Sequence, residues 1–397
     1  MKLTSEEQNI LDGKFGKAAK KSMEILVTLG DIFDAESMVD VFGVQIAGVS
    51  YANLDEAGLE FLSEMAEDGK VRVLTTLNPA GMDRENWQAL GISEEFAKNQ
   101  NRAIDAFAKM GIITTCSCTP YLIGNTPHYG QHLAWAESSA VCYANSVIGA
   151  RTNREGGPSA LASAITGKTP RYGYHLDENR HGEVLFEVNA KVKGTDEFGV
   201  LGKIIGDKLV ELGKKIPYIE GIPEATVEEL KSFCASVATY GGTALFHMEG
   251  VTPEYNDYPK PTDITFEINQ NDLDKTRLEL IDDDLEIDFV SIGCPHASIH
   301  EIERIARLLK GKKVKKEFWI TTARPTKRIA DEAGYSKIIE EAGAKFAADT
   351  CCVVAPIKGR FKGIMVDSAK ACYYGRAKNQ FKVKIGSIEE CIEEAIK

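Results

Sequence analysis

Cysteines that follow short apolar runs are the residues of this sequence best suited to chemistry. Each of these runs is predicted to be a strand, at 112–115, 289–292 and 345–348. Loops at the carboxyl ends of parallel strands commonly line one ligand cavity. Of the nine cysteines in the chain, five share this position: Cys116, Cys118, Cys294, Cys351 and Cys352.

Three thiolates from separate loops suit a four-iron cluster with one iron left open. Complete ligation of such a cluster takes four cysteines. An iron without a protein ligand can act as a Lewis acid on a substrate hydroxyl. The sequence has no closely spaced C-x₂-C-x₂-C run of the kind that electron-carrying ferredoxins use. The pattern therefore favours a catalytic cluster, with a zinc site on the same thiolates, or plain core packing of the cysteines, as the alternatives.

Polar residues and glycine at other predicted strand ends could bind an anionic substrate. Gly48, Val49 and Ser50 offer main-chain N–H groups at a strand-to-helix turn, which is a typical anion nest. Asn78 and Pro79 end the next predicted strand, where the asparagine amide can donate to a substrate oxygen. An ordinary turn is the alternative for both segments.

A second group of polar residues lies near two predicted helices. Glu137 and Ser138 stand where a buried helix at 137–149 is predicted to begin, as caps or as substrate contacts. Lys370 could pair with a carboxylate or phosphate as a point charge. Arg151 and Arg154, after that helix, could bind phosphate or simply complement the helix dipole.

Alternation of short β-rich runs with helical stretches predicts an α/β fold with largely parallel sheets. Strands are expected at 44–50, 71–79 and 112–120, and a helix is expected at 327–342. The pattern of predicted strands and helices changes near residues 180 and 270, which predicts three α/β segments at 1–180, 181–270 and 271–397. With 397 residues, the chain is long enough for two or three domains.

Charge and hydropathy exclude several function classes. The net charge of −12 makes the chain a poor partner for nucleic acid. No apolar run approaches the ~20 residues of a membrane span, and the N-terminus lacks the apolar stretch of a signal peptide. We therefore expect a cytoplasmic protein without membrane contact.

Several motifs resemble the aconitase X family over essentially the whole chain. The most specific is a long central block, WAESSAVCYANSVIGARTNREGG at 135–157. Four shorter motifs carry the rest of the resemblance: CTPY at 118–121, GCPH at 293–296, DTC at 349–351 and DSAKACYYG at 367–375.

The resemblance implies an aconitase-like fold of several α/β modules around a central cleft that holds a 4Fe-4S cluster. It implies Cys118, Cys294 and Cys351 as ligands. Cys116 and Cys352 are near neighbours that sequence reasoning does not exclude. It also implies Gly48, Val49, Ser50, Asn78, Pro79, Glu137, Ser138 and Lys370 as substrate contacts.

The activity that the resemblance implies is a hydro-lyase reaction in the archaeal mevalonate route to isoprenoids. In it (R)-5-phosphomevalonate loses water to give trans-anhydromevalonate 5-phosphate. The sequence is expected to be the large subunit and to lack the swivelling domain, which a small subunit would supply together with the serine base. No catalytic residue is therefore assigned to this chain. Dehydration of cis-3-hydroxy-L-proline and a non-catalytic iron- or redox-sensing role are the alternatives.

Overall fold

A computed structural model describes residues 1–397 of the chain. Four sheets are surrounded by helices, and three of the sheets are entirely parallel. The strands are β1 (Met38–Asp40), β2 (Gly43–Ile46), β3 (Leu74–Leu77), β4 (Leu133–Trp135), β5 (Lys168–Pro170), β6 (Val184–Val188), β7 (Pro217–Glu220), β8 (His247–Met248), β9 (Thr265–Ile268), β10 (Phe289–Ile292), β11 (Glu317–Thr322), β12 (Lys345–Ala348), β13 (Gly363–Val366) and β14 (Lys382–Ile385).

The helices lie mostly between consecutive strands, as parallel crossovers require. They are α1 (Ser5–Leu11), α2 (Lys17–Ile32), α3 (Tyr51–Met65), α4 (Glu94–Lys109), α5 (Ser138–Tyr143), α6 (Gly157–Thr166), α7 (Gly194–Leu212), α8 (Val227–Gly241), α9 (Gln270–Glu279), α10 (Ile299–Leu309), α11 (Arg324–Glu332), α12 (Tyr335–Glu341), α13 (Ala369–Tyr374) and α14 (Ile388–Ile396).

The sheets follow one another along the chain. The first has the order β3-β2-β4, the second β8-β7-β6-β9 and the third β12-β11-β10-β13-β14, while β1 and β5 form a small antiparallel ribbon. Strands such as β10 and β13 are buried along their whole length. Such continuous apolar strands are typical of parallel sheets with both faces covered. The predicted α/β class with mostly parallel sheets is confirmed.

One large apolar core joins the three parallel sheets. It contains Trp135 from β4, Phe186 from β6, Phe233 from α8 and Trp319 from β11. Two smaller cores lie behind the first and third sheets. Because the largest core crosses all three sheets, the loops at their strand ends are held in fixed relative positions.

Two of the predicted elements are wrong in detail. Residues 112–120 do not form a strand, because only Ile113 makes a single bridge to Thr76 and Cys116 adopts a left-handed backbone with φ 46°. The predicted helix at 327–342 is two helices, α11 and α12, because Gly334 takes φ 78° between them. The predicted buried helix at 137–149 is α5 followed by a π-helical turn, and Gly149 closes it as expected.

No helix combines the length and the apolar character needed to cross a membrane. The segment boundaries near 180 and 270 stay a prediction.

Candidate active site

One cavity of about 390 Å³ is lined by loops that follow strands of the first and third sheets. The loops after β2, β3 and β4 form one side, and the loops after β10, β12 and β13 form the other. This is the position at which open parallel sheets bind their ligands. The cavity therefore takes its functional groups from both ends of the chain.

Most of the residues singled out from the sequence line this cavity. Val49 and Ser50 do not: Val49 is buried in the core of the first sheet, and the Ser50 hydroxyl donates to the Val354 carbonyl at 3.2 Å. These two residues could contact an anion only through main-chain N–H groups, so their role stays a prediction. The residues that line the cavity are Gly48, Asn78, Pro79, Cys118, Glu137, Ser138, Cys294, Cys351 and Lys370.

Cys118 is held in place by His296, which follows β10. The main-chain N–H of His296 donates to Cys118 Sγ at 3.2 Å. The ring Nε2–H donates to the Thr350 carbonyl at 3.0 Å, which leaves Nδ1 to accept from the Ser117 hydroxyl at 3.2 Å. Burial lowers the pKa of His296 to about 4, so the ring is neutral. His296, which belongs to the Cys294 loop, thus contacts the Cys118 and Cys351 loops and ties the three together.

Cys294 reaches the cavity because Gly293 permits a sharp turn after β10. Gly293 has φ 104°, and an added Cβ would lie 2.3 Å from the Thr321 carbonyl oxygen. Only glycine fits such a close approach. The turn brings the Cys294 thiol near Cys351 and near Ser368.

Cys351 lies in a tight loop after β12. Asp349, two residues earlier, adopts φ 66°, and the main-chain N–H groups of Val354 and Ala355 donate to the Cys351 carbonyl at 3.2 and 3.0 Å. The N–H groups of Val353 and Val354 also act on the thiol, because they oppose the effect of burial on its pKa. The loop therefore offers a preformed sulfur ligand at the cavity wall.

Cys116 and Cys352 are near in sequence but lie outside the cavity. Cys116 is completely buried in the core behind the first sheet. Cys352 is buried in the large core. The structure therefore separates these two thiols from the three that face the cavity.

The three cavity thiols fit a cluster better than a single ion. Nowhere in the structure do three or more His, Cys, Asp or Glu side chains gather closely enough to hold one metal ion. Cys118 and Cys294 are nonetheless both close enough to Cys351 for their charges to interact. Sulfur ligands that share a cavity without converging on one point suit a polynuclear iron–sulfur group.

Burial raises the pKa of all three thiols, that of Cys294 to about 12. The thiols are therefore protonated until a cationic group enters the cavity. Binding of iron must displace these protons, because the thiolate is the ligand form.

A buried ion pair joins the two sides of the cavity. Lys370 Nζ donates to Glu137 Oε1 at 2.6 Å, and both side chains are at most 10% exposed. Glu137 Oε2 also accepts from Ser139 Oγ at 2.5 Å and from the Ala140 N–H at 2.7 Å, so it caps α5. Burial disfavours the charged form of both side chains, but the opposite charge of the partner favours it more strongly. The pKa of Glu137 is therefore lowered and that of Lys370 is raised.

Lys378 was missed by sequence reasoning, although it lines the cavity. Its Nζ donates to the Val353 carbonyl at 2.6 Å, it has no carboxylate partner, and burial lowers its pKa. It lies eight residues after Lys370, beyond the end of α13. The π-helical turn at Gly375–Asn379 takes up an extra residue and brings both lysines to the cavity.

Arg154 is the second unpaired cation of the cavity wall. It follows the turn after α5, is exposed, and makes no ion pair. Arg151, the other arginine considered from the sequence, instead pairs with Asp177 and Glu254 away from the cavity. Of the two arginines, the structure thus leaves only Arg154 available to a ligand.

Asn78 carries an unpartnered polar atom at the cavity wall. Its Oδ1 is buried and has no hydrogen-bond partner in the protein. A buried polar atom without a partner costs free energy unless a ligand or water satisfies it. Asn78 therefore offers a free acceptor to a polar group that enters the cavity.

Asp367, which precedes the N-cap of α13, gives a pH-dependent prediction. Burial and the nearby Glu301 raise its pKa to about 7, from an ordinary value of 3.8. The folded state therefore binds the proton more tightly, and stability falls as the pH rises from about 4 to 7. Asp367→Asn should remove this fall, worth roughly 4 kcal/mol at most. Urea denaturation of both apo-proteins between pH 4 and 8 checks this; parallel pH profiles would contradict it.

Comparison with known proteins gives the family. Family models described as Aconitase X first, second and third domain match residues 1–178, 182–278 and 287–397. The phosphomevalonate dehydratase large subunit of Thermococcus kodakarensis is 46% identical, with 100% of each chain covered. The cis-3-hydroxy-L-proline dehydratase of Hypocrea jecorina is 31% identical over 100% of this chain and 68% of its own length.

A solved structure gives the same answer for the fold. The crystal structure of Thermococcus kodakaraensis aconitase X in its holo-form superposes with a TM-score of 0.92, at 45% identity and with 100% of each chain covered. The α/β fold is therefore the aconitase-like one that the motifs implied. This chain belongs to the aconitase X family.

Proposed function

We propose that this chain is the cluster-bearing large subunit of a two-subunit hydro-lyase. The enzyme dehydrates (R)-5-phosphomevalonate to trans-anhydromevalonate 5-phosphate, a step of the archaeal mevalonate pathway to isoprenoids. Relatives named as phosphomevalonate dehydratase large subunits, at 46% identity over full length, support this reading. One observation carries it: three cysteines and an excess of cations line a single cavity.

The proposed cofactor is a 4Fe-4S cluster held by Cys118, Cys294 and Cys351. When bound, such a cluster supplies an open iron as a Lewis acid for departure of a tertiary hydroxyl. The protein holds the ligands in place through the His296 N–H on Cys118 and through the tight main-chain turn that Cys351 makes with Val354 and Ala355. These contacts orient the sulfurs before the cluster enters, which is the usual task of residues around a metal site.

The charge of the cavity wall favours a phosphorylated hydroxy acid. Three cations, Arg154, Lys370 and Lys378, face it against one carboxylate, Glu137. Since Glu137 is paired with Lys370, the other two cations are free for the carboxylate and the phosphate of the substrate. A cyclic amino acid would want a carboxylate near its ring nitrogen, and the cavity has no second one.

The base that removes the carbon-bound proton is proposed to come from a small subunit. Relatives are named as large subunits, which implies such a partner for them. In this proposal the partner carries the swivelling domain and a serine that enters the cavity. The large subunit alone would bind the substrate and the cluster but would not turn the substrate over.

A cytoplasmic location is part of the proposal. All nine cysteines are free in the structure, and eight of them are buried. Free thiols of this number persist in reducing compartments.

The test of this function is anaerobic reconstitution with iron and sulfide, followed by mixing with the small subunit. The complex is offered (R)-5-phosphomevalonate and cis-3-hydroxy-L-proline separately, and products are followed by NMR. We expect turnover of the phosphorylated substrate only, and none by the large subunit alone. Turnover of hydroxyproline but not of phosphomevalonate would overturn the assignment.

Removing either unpaired cation should lower the kcat/KM for the anionic substrate. Lys378→Gln or Arg154→Gln is expected to lower kcat/KM by about 10–100-fold, since a charge-assisted hydrogen bond contributes about 1.5–3 kcal/mol. The matched control is Lys362→Gln, because Lys362 is exposed and lies at the opposite end of β13. Steady-state kinetics of the reconstituted complex measure the effect. Equal kcat/KM for all three variants and the wild type would refute the substrate contact.

A further inference from the structure

A buried charged cluster lies behind the cavity, where the loop after β3 meets the loop after β12. It consists of Arg324, Asp83 and Asp349, whose side chains are 12%, 1% and 2% exposed. None of the three lines the cavity. We propose that Arg324 is a positioning residue that fixes the Cys351 loop for cluster binding. This inference rests on the proposed function, because it assigns a task toward the proposed cluster.

The single guanidinium group of Arg324 binds the carboxylates of both Asp83 and Asp349. Its Nε and Nη2 donate to Asp349 Oδ2 at 3.0 and 2.6 Å, and Nη2 also donates to Asp83 Oδ1 at 2.5 Å. The guanidinium is always charged and presents several donors in a fixed plane. A lysine in its place would offer one point charge and could not reproduce this forked contact.

Each aspartate also bonds to the main chain of the opposite loop. Asp83 Oδ2 accepts from the Ala348 N–H at 3.0 Å, and the Asp349 carbonyl accepts from the Ala80 N–H at 2.8 Å. Two loops more than 260 residues apart in sequence are therefore tied in both directions. Without the guanidinium, two buried carboxylates would lie close together without their cation, which costs free energy and weakens the tie between the loops.

The contacts of Arg324 with Asp83 and Asp349 help to set the distance between the cavity thiols. Cys118 comes from the side of the first sheet, and Cys351 follows Asp349 by two residues on the side of the third sheet. A cluster is a rigid body, so its ligands must be presented at a fixed spacing. Asp349 also takes a left-handed backbone with φ 66°, which the surrounding contacts must impose. Arg324 supplies two charge-assisted hydrogen bonds to the side chain of this residue.

The test compares how firmly variants hold the reconstituted cluster. Arg324→Lys and Arg324→Gln are loaded with iron and sulfide, and iron loss to a chelator is followed under anaerobic conditions. We expect loss about 10–100-fold faster than in the wild type, the usual effect of removing a residue that supports a metal ligand. The matched control is Arg304→Gln, because Arg304 makes an equally forked but exposed ion pair with Glu389.

If Arg324 only stabilised the fold, its variants would lose iron no faster than another variant of similar stability. Ile392→Val, a conservative change in the core behind the third sheet, serves as a destabilised control whose thermal midpoint is measured with that of the Arg324 variants. Asp83→Asn should match Arg324→Gln, and the double variant should be no worse than either single one. Should Arg324→Gln fail to fold, Arg324→Lys and Asp83→Asn carry the same test.

The outcomes separate the two claims. If wild-type protein binds a cluster and the Arg324 variants lose iron no faster than Arg304→Gln or Ile392→Val, the positioning role is wrong while the proposed function stands. If wild-type protein binds no cluster at all, the proposed function fails and the positioning role fails with it.

Discussion

Serine in place of Cys118, Cys294 or Cys351 is expected to abolish both cluster binding and dehydration. These three thiols line the cavity, whereas a serine hydroxyl is a hard oxygen that stays protonated and binds iron–sulfur groups poorly. Each single variant should retain little iron and sulfide after reconstitution and should show no measurable turnover with the small subunit. Iron and sulfide analysis, together with the visible absorption spectrum, measures the loss.

Cys116→Ser and Cys352→Ser are the matched controls, since each removes a neighbouring buried thiol. Both sulfurs point into apolar cores instead of into the cavity. We expect full iron content and activity, with a stability loss of about 1 kcal/mol from burying a hydroxyl in a core. Loss of iron in either control, with retention in the Cys118 or Cys351 variant, would show that the ligand assignment is wrong.

Breaking the pair of Lys370 and Glu137 is the second change with a large expected effect. Lys370→Met leaves a buried carboxylate without its partner, and Glu137→Gln leaves a buried ammonium. Removing one partner of such a pair costs about 3–5 kcal/mol of stability. We also expect kcat/KM to fall by about 10–100-fold, because Lys370 faces the cavity beside the proposed substrate.

A double variant separates stability from function at this pair. Lys370→Met combined with Glu137→Gln removes both charges, so most of the lost stability should return. Activity should not return, because Lys370, one of the three cations that face the cavity, is still missing. Denaturant unfolding and steady-state kinetics of the four proteins measure this. Recovery of activity along with stability would mean that the pair is only structural.

Much of the site follows from residues that come directly after strands. Cys294 and Cys351 follow β10 and β12, as the sequence predicts, because short apolar runs followed by turn residues identify buried strands. The sequence places Cys118 in a predicted strand at 112–120, and this strand does not form. Its position depends on the contact with His296, from the other end of the chain, and only the resemblance to the family indicated it.

Other parts of the site had no local signal. Lys378 lies in a π-helical turn after α13, and a lone lysine in a basic stretch looks like an ordinary surface charge. The contact of Arg324 with Asp83 joins residues 241 positions apart, and each residue alone looks like an ordinary surface charge. Long-range pairing of this kind depends on how the sheets pack, which patterning along a single sequence does not specify.

The central claim is that three cavity thiols hold a four-iron cluster. Metal and sulfide analysis of the chain, purified and reconstituted without oxygen, tests it most directly, with the visible absorption spectrum as a second readout. We predict a brown protein with about four irons and four sulfides per chain. A colourless protein that carries stoichiometric zinc and no sulfide would contradict it.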